Sequence, residues 1–144
     1  MQSNRYSNWL DYETHVLEKS NYLIKITNDN STFLGDDVNG KGIIISNYNK
    51  YKGQVKDTKI NGYGCLLDEN KIQYFGEYEN GLRNGIGYYI YNNGYKYKGH
   101  WKADKRHGLG YLFTENSVIY GMWENDYLVY QMSAKVSFYS KASV

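Results

Sequence analysis

Residues Gly35 to Gly42 read GDDVNGKG, a G-x-x-x-x-G-K spacing that opens a phosphate-binding loop. Such a loop needs Ser or Thr after the lysine, whose hydroxyl ligates Mg²⁺, and a helix whose N-terminus holds the phosphates. Here Gly42 follows Lys41, and the continuation GIIISNYNKYKG places three Ile before a turn-forming SNYN. That run favours a strand, so nucleotide binding is not expected. Other chemistry-bearing residues are sparse. His15, His100 and His107 have no metal-ligand spacing with Cys or acidic residues. Cys65 is the single cysteine, follows Gly64 on an expected strand, and reads as a buried structural thiol. No G-x-S-x-G nucleophile element is present. The expectation is a non-enzyme with no catalytic residue, no metal site and no cofactor.

Bulk properties narrow the class. The chain has 144 residues and a net charge of +2 from 17 basic and 15 acidic residues, which argues against a global attraction to nucleic acid. One cysteine provides no disulfide framework and fits a reducing compartment. No apolar run approaches the roughly 20 residues that span a bilayer. The N-terminal MQSNRYSNWLDYETHV lacks an apolar signal core and carries Asp11 and Glu13. An intracellular, cytoplasmic protein is expected. The 18 Tyr, 15 Gly and absence of Pro suggest strands joined by tight turns.

The glycines have a different origin from a phosphate loop, because the chain repeats. In register, the copies are FLGDDVNGKGIIISNYNK from Phe33, YKGQVKDTKINGYGCLLDENKIQ from Tyr51, YFGEYENGLRNGIGYYIYNNGYK from Tyr74 and YKGHWKADKRHGLGYLFTENSV from Tyr97. A fifth, IYGMWENDYLVY, begins at Ile119. Tyr51, Tyr74 and Tyr97 are 23 residues apart, and the downstream Gly-x-Gly pairs 40/42, 62/64, 85/87 and 108/110 follow at 22, 23 and 23. Lys41 thus fills the variable slot that holds Tyr63, Ile86 and Leu109 later. Five residues separate Gly35 from Gly40 where later copies have nine, and that shortened hairpin tip alone creates the phosphate-loop spacing.

Each copy reads as a β-hairpin. Tyr97, Gly99 and Trp101 are two apart and share one face; Lys96, Lys98, His100 and Lys102 take the other. Copy two splits into Tyr51, Gly53 and Val55 against Lys50, Lys52, Gln54 and Lys56. Glycine within a strand is unfavourable unless something approaches the bare backbone, so a ring from a neighbouring hairpin is expected there. Gly35, Gly42, Gly53, Gly64, Gly76, Gly87, Gly99, Gly110 and Gly121 are read as structural.

The motifs Tyr97-Lys98-Gly99-His100-Trp101 with His107-Gly108-Leu109-Gly110, and Tyr74-Phe75-Gly76-Glu77-Tyr78 with Asn84-Gly85-Ile86-Gly87, resemble MORN repeats (membrane occupation and recognition nexus). The resemblance covers about 33–125, roughly four to five repeats, with 21–32 as a degenerate half repeat. It implies a mainly β fold: serial hairpins in an elongated, twisted single-layer sheet with aromatics stacked along a groove. Residues 1–20, with Trp9, Tyr12, Val16 and Leu17 near helical spacing, are expected to form a short helix. Residues 126–144 read as a strand-like cap or tail.

Two functions follow as expectations. The first is a protein-interaction scaffold in a larger assembly. MORN proteins resembling this chain serve in cytoskeletal and ciliary assemblies, and the aromatics Tyr51, Tyr74, Tyr78, Tyr97, Trp101 and Trp123 are candidates to line a partner groove. The alternative is a peripheral tether to anionic lipid or phosphoinositide. Residues 50–106 hold 11 Lys/Arg against 6 Asp/Glu, with Lys50, Lys52, Lys56, Lys96, Lys98 and Lys102 on the non-aromatic face. Glu77 and Glu79 interrupt that stripe. Open sheet edges would also permit self-association. No nucleic acid or nucleotide partner is expected.

Overall fold

The computed structural model describes residues 24–133, which form one open antiparallel sheet of 11 strands, each paired with its neighbours in chain order. The strands are β1 (Ile24–Thr27), β2 (Ser31–Gly35), β3 (Gly40–Ser46), β4 (Asn49–Lys56), β5 (Lys59–Asp68), β6 (Lys71–Glu79), β7 (Leu82–Ile90), β8 (Lys96–Lys102), β9 (Lys105–Phe113), β10 (Val118–Glu124) and β11 (Tyr127–Met132). The mainly-β, serial-hairpin reading matches this sheet, and no helix occurs among the described residues. The helix expected within 1–20 and the tail beyond 133 lie outside the described residues.

Local chemistry explains the meander. No Pro removes a ladder donor. Asp57-Thr58, Glu69-Asn70, Asn80-Gly81, Ala103-Asp104 and Asn125-Asp126 all adopt positive φ. Two such residues in succession make type I′ turns, whose twist suits a tight hairpin. The turns also stack. The amides of Gly81, Asp104 and Asp126 donate to the carbonyls of Ile60, Arg83 and Arg106, at 2.9, 3.0 and 3.0 Å. Each hairpin tip is thereby fastened to the hairpin before it.

The nine repeat glycines form one row. Gly35, Gly42, Gly53, Gly64, Gly76, Gly87, Gly99, Gly110 and Gly121 pair directly, strand to strand, from β2 to β10. At ~4.8 Å per strand the row is roughly 38 Å long. The main buried cluster, Phe33, Tyr51, Val55, Tyr74, Tyr78, Tyr97, Trp101 and Trp123, lies on one face of this row, the inner face. A sheet ordinarily buries a face against a second layer. Here the aromatic rings settle onto the bare glycine backbone and onto one another.

Candidate interaction surfaces

The two glycines of each Gly-x-Gly element have different jobs. Gly85 has φ +93°, a conformation that side chains rarely adopt. Gly87 has no such constraint, but a Cβ there would stand 2.0 Å from the Tyr74 hydroxyl. The pattern recurs with Tyr51 over Gly64, Tyr97 over Gly110 and Phe33 over Gly42, so the ring comes from the glycine's own hairpin and not, as expected, from a neighbouring one. The tyrosine hydroxyls turn the strand back on itself: Tyr51 donates to the Gln54 carbonyl at 2.7 Å, Tyr74 to Glu77 and Tyr97 to His100, both at 3.1 Å. Burial holds the Tyr51, Tyr74, Tyr78 and Tyr97 hydroxyls above their ordinary pKa of 10.0.

These rings form a continuous edge-to-face ladder. Ring centroids step from Tyr51 to Tyr78 at 5.5 Å, to Tyr74 at 5.0 Å, to Trp101 at 5.6 Å, to Tyr97 at 5.1 Å and to Trp123 at 5.5 Å. Interplanar angles run from 80° to 89°, the edge-to-face geometry that a ring quadrupole favours. Trp101 and Trp123 donate their indole N–H to the carbonyls of Gly87 and Gly110. Tyr78 fills the same slot one repeat earlier, and its buried hydroxyl has no hydrogen-bond partner among the described residues.

All six residues expected to line a partner groove belong to this ladder, and none is more than 7% exposed. Their ring faces are spent on glycines and on each other. As arranged, Tyr51, Tyr74, Tyr78, Tyr97, Trp101 and Trp123 are the packing of the array rather than a surface open to a partner. The alternation of side chains places them correctly on one face but carries no information on how closely the next hairpin covers them.

Two arginines complete the inner face. The Arg83 guanidinium lies 4.4 Å from the Trp101 ring centroid and 5.0 Å from that of Tyr89. Its Nε donates to Asp104 Oδ1 at 2.9 Å and its Nη2 to the Asp104 carbonyl at 2.8 Å. One repeat later, Arg106 lies 4.3 Å from the Trp123 centroid and bonds Asp126 in the same way. These clamps join consecutive hairpins. Sequence reasoning singled out neither arginine; their 23-residue spacing, with an aspartate three residues after each of Trp101 and Trp123, was the available signal.

Side chains also repair the ladder where register shifts. Between Gly76 and Tyr78 the β6–β7 pairing slips, and the Glu77 carboxylate accepts the Ile86 amide and the Tyr63 hydroxyl. Gln54 Oε1 accepts the Tyr63 amide at 2.7 Å in the preceding repeat. Glu79 accepts from the Asn84 side chain at 3.0 Å. The two glutamates that interrupt the lysine stripe are thus engaged locally.

The outer face is mixed. Lys56, Lys96, Lys98 and Lys102 are exposed, but Lys50 is half-buried. Lys52 is buried, sitting cross-strand between Ile43 and Cys65. Burial lowers the Lys52 ammonium pKa and pushes the Cys65 thiol up to about 11. The expected six-lysine patch therefore divides: Lys52 is withdrawn from the surface, and β4 and β8 stand roughly 19 Å apart across four strand spacings. Exposed apolar side chains gather toward the C-terminal strands, including Ile86, Leu109, Tyr111 and Met122.

No cluster of three or more His, Cys, Asp or Glu able to hold a metal occurs among the described residues. His107 Nδ1 is buried without a hydrogen-bond partner among them. Gly35 ends β2 and Gly40 starts β3, so the loop between them joins two strands, and Lys41 pairs with Gln54 inside the sheet.

The family model of the MORN repeat matches residues 51–71, 74–94 and 97–115. Residues 51–115 carry three consecutive MORN repeats. Each match begins on a ladder tyrosine, Tyr51, Tyr74 or Tyr97, and takes in the Gly-x-Gly element that receives its ring. The glycine row runs on past the matched MORN repeats, through Gly35 and Gly42 on one side and Gly121 on the other. No curated protein matches the chain. MORN repeats generally take part in protein–protein or membrane and lipid interactions. No helix among the described residues is long and apolar enough to cross a membrane.

Proposed function

We propose that this MORN-repeat protein is a non-catalytic interaction scaffold, a cytoplasmic structural component of a larger cytoskeletal or ciliary assembly. One observation carries the reading. The inner aromatics are consumed by the array itself, whereas the outer face over β7 to β10 presents Ile86, Leu109, Tyr111 and Met122 at 38–45% exposure. Apolar side chains gathered on one face of a rigid repeat array favour docking of another protein. The partner meets the outer face rather than entering the ladder.

The test is an affinity purification of the tagged protein from its native cell, washed at roughly 0.3 M salt, where the Debye length is about 6 Å. A stoichiometric protein partner retained there supports the scaffold. Recovery of the bare protein overturns it in favour of the second reading, a tether to anionic lipid. That reading is favoured by the three exposed lysines of β8, Lys96, Lys98 and Lys102, each worth about 1 kcal/mol near an anionic membrane.

A further inference from the structure

One row of outer-face side chains crosses the sheet directly from strand to strand: Cys65, Phe75, Tyr88, Lys98, Tyr111 and Tyr120. The Phe75 and Tyr88 rings are 5.0 Å apart, and Tyr111 stacks on Tyr120 at 4.3 Å with an interplanar angle of 15°. Lys98 stands between these two aromatic pairs. Two residues along β8, Lys96 stands between Ile90 and Phe113 in the same manner.

The charge of this region is one-sided. Strands β7, β8 and β9 contain no Asp or Glu. Of the carboxylates around these strands, Glu77 is engaged by Tyr63 and Ile86 and Asp104 by Arg83, while Glu115 lies in the β9–β10 turn and Glu124 is exposed at the end of β10. Lys96, Lys98 and Lys102 are exposed and make no ion pair among the described residues. Cations with no ion pair among the described residues, flanked by aromatic side chains, call for an anion that brings apolar groups with it. Lys96 and Lys98 lie two residues apart on a strand, about 6.7 Å, which is the spacing of side chains on one face of any extended chain.

We infer that the outer face of β7 to β10 is the docking surface for an acidic, extended protein segment. Carboxylates two residues apart pair with Lys96 and Lys98, and a neighbouring apolar side chain lies on the Tyr111–Tyr120 slab. A lipid surface would use the lysines but not the fixed spacing or the stacked rings. This assignment rests on the scaffold reading and specifies the chemistry of its partner.

The test uses the full chain and two labelled synthetic peptides, one alternating Glu with Val and a matched one alternating Gln with Val, read by fluorescence anisotropy. The Glu peptide is expected to bind about tenfold tighter than the Gln peptide, as two or three exposed charge pairs supply. Lys96→Glu/Lys98→Glu should abolish that preference, and Lys96→Gln/Lys98→Gln should reduce it without introducing repulsion. Tyr111→Ser should weaken both peptides. Equal binding of the two peptides, or a Glu preference that survives both lysine variants, overturns the assignment. So does binding to phosphatidylserine vesicles with none to the Glu peptide. The native-cell purification separates this inference from its premise. A partner held equally by wild type and by Lys96→Glu/Lys98→Glu overturns this surface and leaves the scaffold standing. A partner lost only from the variant supports both, and no partner for wild type overturns the scaffold itself.

Discussion

Replacing Gly87 by Ala adds one methyl group, yet it should rank among the most damaging changes available to this sheet. Gly87 does not have positive φ, so Ala suits its backbone. The difficulty is the space above it. The new Cβ would stand 2.0 Å from Tyr74 Oη, 2.4 Å from its Cζ and 2.5 Å from its Cε2. The ring has to leave by more than 1 Å to restore contact near 3.5 Å. It has nowhere to go, being fully buried and boxed in by Tyr78 and Trp101. The methyl therefore evicts the ring, at a cost like that of deleting a large buried aromatic, ~3–5 kcal/mol. Tyr74→Ala should cost about the same amount. Gly87→Ala added to Tyr74→Ala should then be nearly free, because the space is empty and Ala restricts the unfolded chain by ~0.4–1 kcal/mol. The coupling between the two sites should thus be about 3 kcal/mol or more, beyond what contacting residues usually show. The assay is urea denaturation of all four proteins, followed by Trp fluorescence and near-ultraviolet circular dichroism. Costs that simply add, or an unchanged unfolding midpoint for Gly87→Ala, would refute the account of rings lying on a glycine row.

Four further outcomes follow from the same structure. Tyr78→Phe removes a buried hydroxyl without a partner among the described residues and should be neutral or stabilising, whereas Tyr97→Phe loses a bond to the His100 carbonyl and should cost ~1 kcal/mol; equal effects in thermal melts would contradict this. Arg83→Met removes the clamp to Asp104 and the cation over Trp101; with Asp104 half exposed the expected loss is only about 1–2 kcal/mol in denaturant titration. Asp57-Thr58→Asn-Gly replaces a β-branched residue at φ 63° and should raise stability by ~1 kcal/mol, checked by the melting temperature. The Cys65 thiol rises from an ordinary 9.0 to about 11 through burial, so its contribution is intact below pH 9, where thiol is protonated in both states. That contribution is lost as pH climbs toward 11. Cys65→Ala should flatten the alkaline fall in stability across that window, and an unchanged slope would show that the thiol is not the source.

Much of the fold was legible because its signals are local. The 23-residue period, the alternation along each strand and the Gly-x-Gly elements are properties of neighbouring residues. They located the hairpins and the face shared by Tyr97, Gly99 and Trp101. The lysine stripe was only half legible. Alternation puts Lys52 on the outer face, correctly, but its burial between Ile43 and Cys65 depends on two other strands. The groove candidates failed as open surface for a related reason: a ring two residues before a glycine looks identical in sequence whether the next hairpin covers it or leaves it bare.

The sequence by itself therefore determined the repeat, the hairpins, the structural glycines and the absence of a phosphate loop at Gly35–Gly42. Each is fixed by backbone conformation or by spacing within about one repeat. Only the tertiary structure decided which rings remain available, which lysines reach solvent and which charges pair. Arg83 finds Asp104 across 21 residues, and Tyr111 finds Tyr120 across a strand pair. Those contacts are set by how successive hairpins stack, and stacking is a property of the whole row of glycines rather than of any single copy.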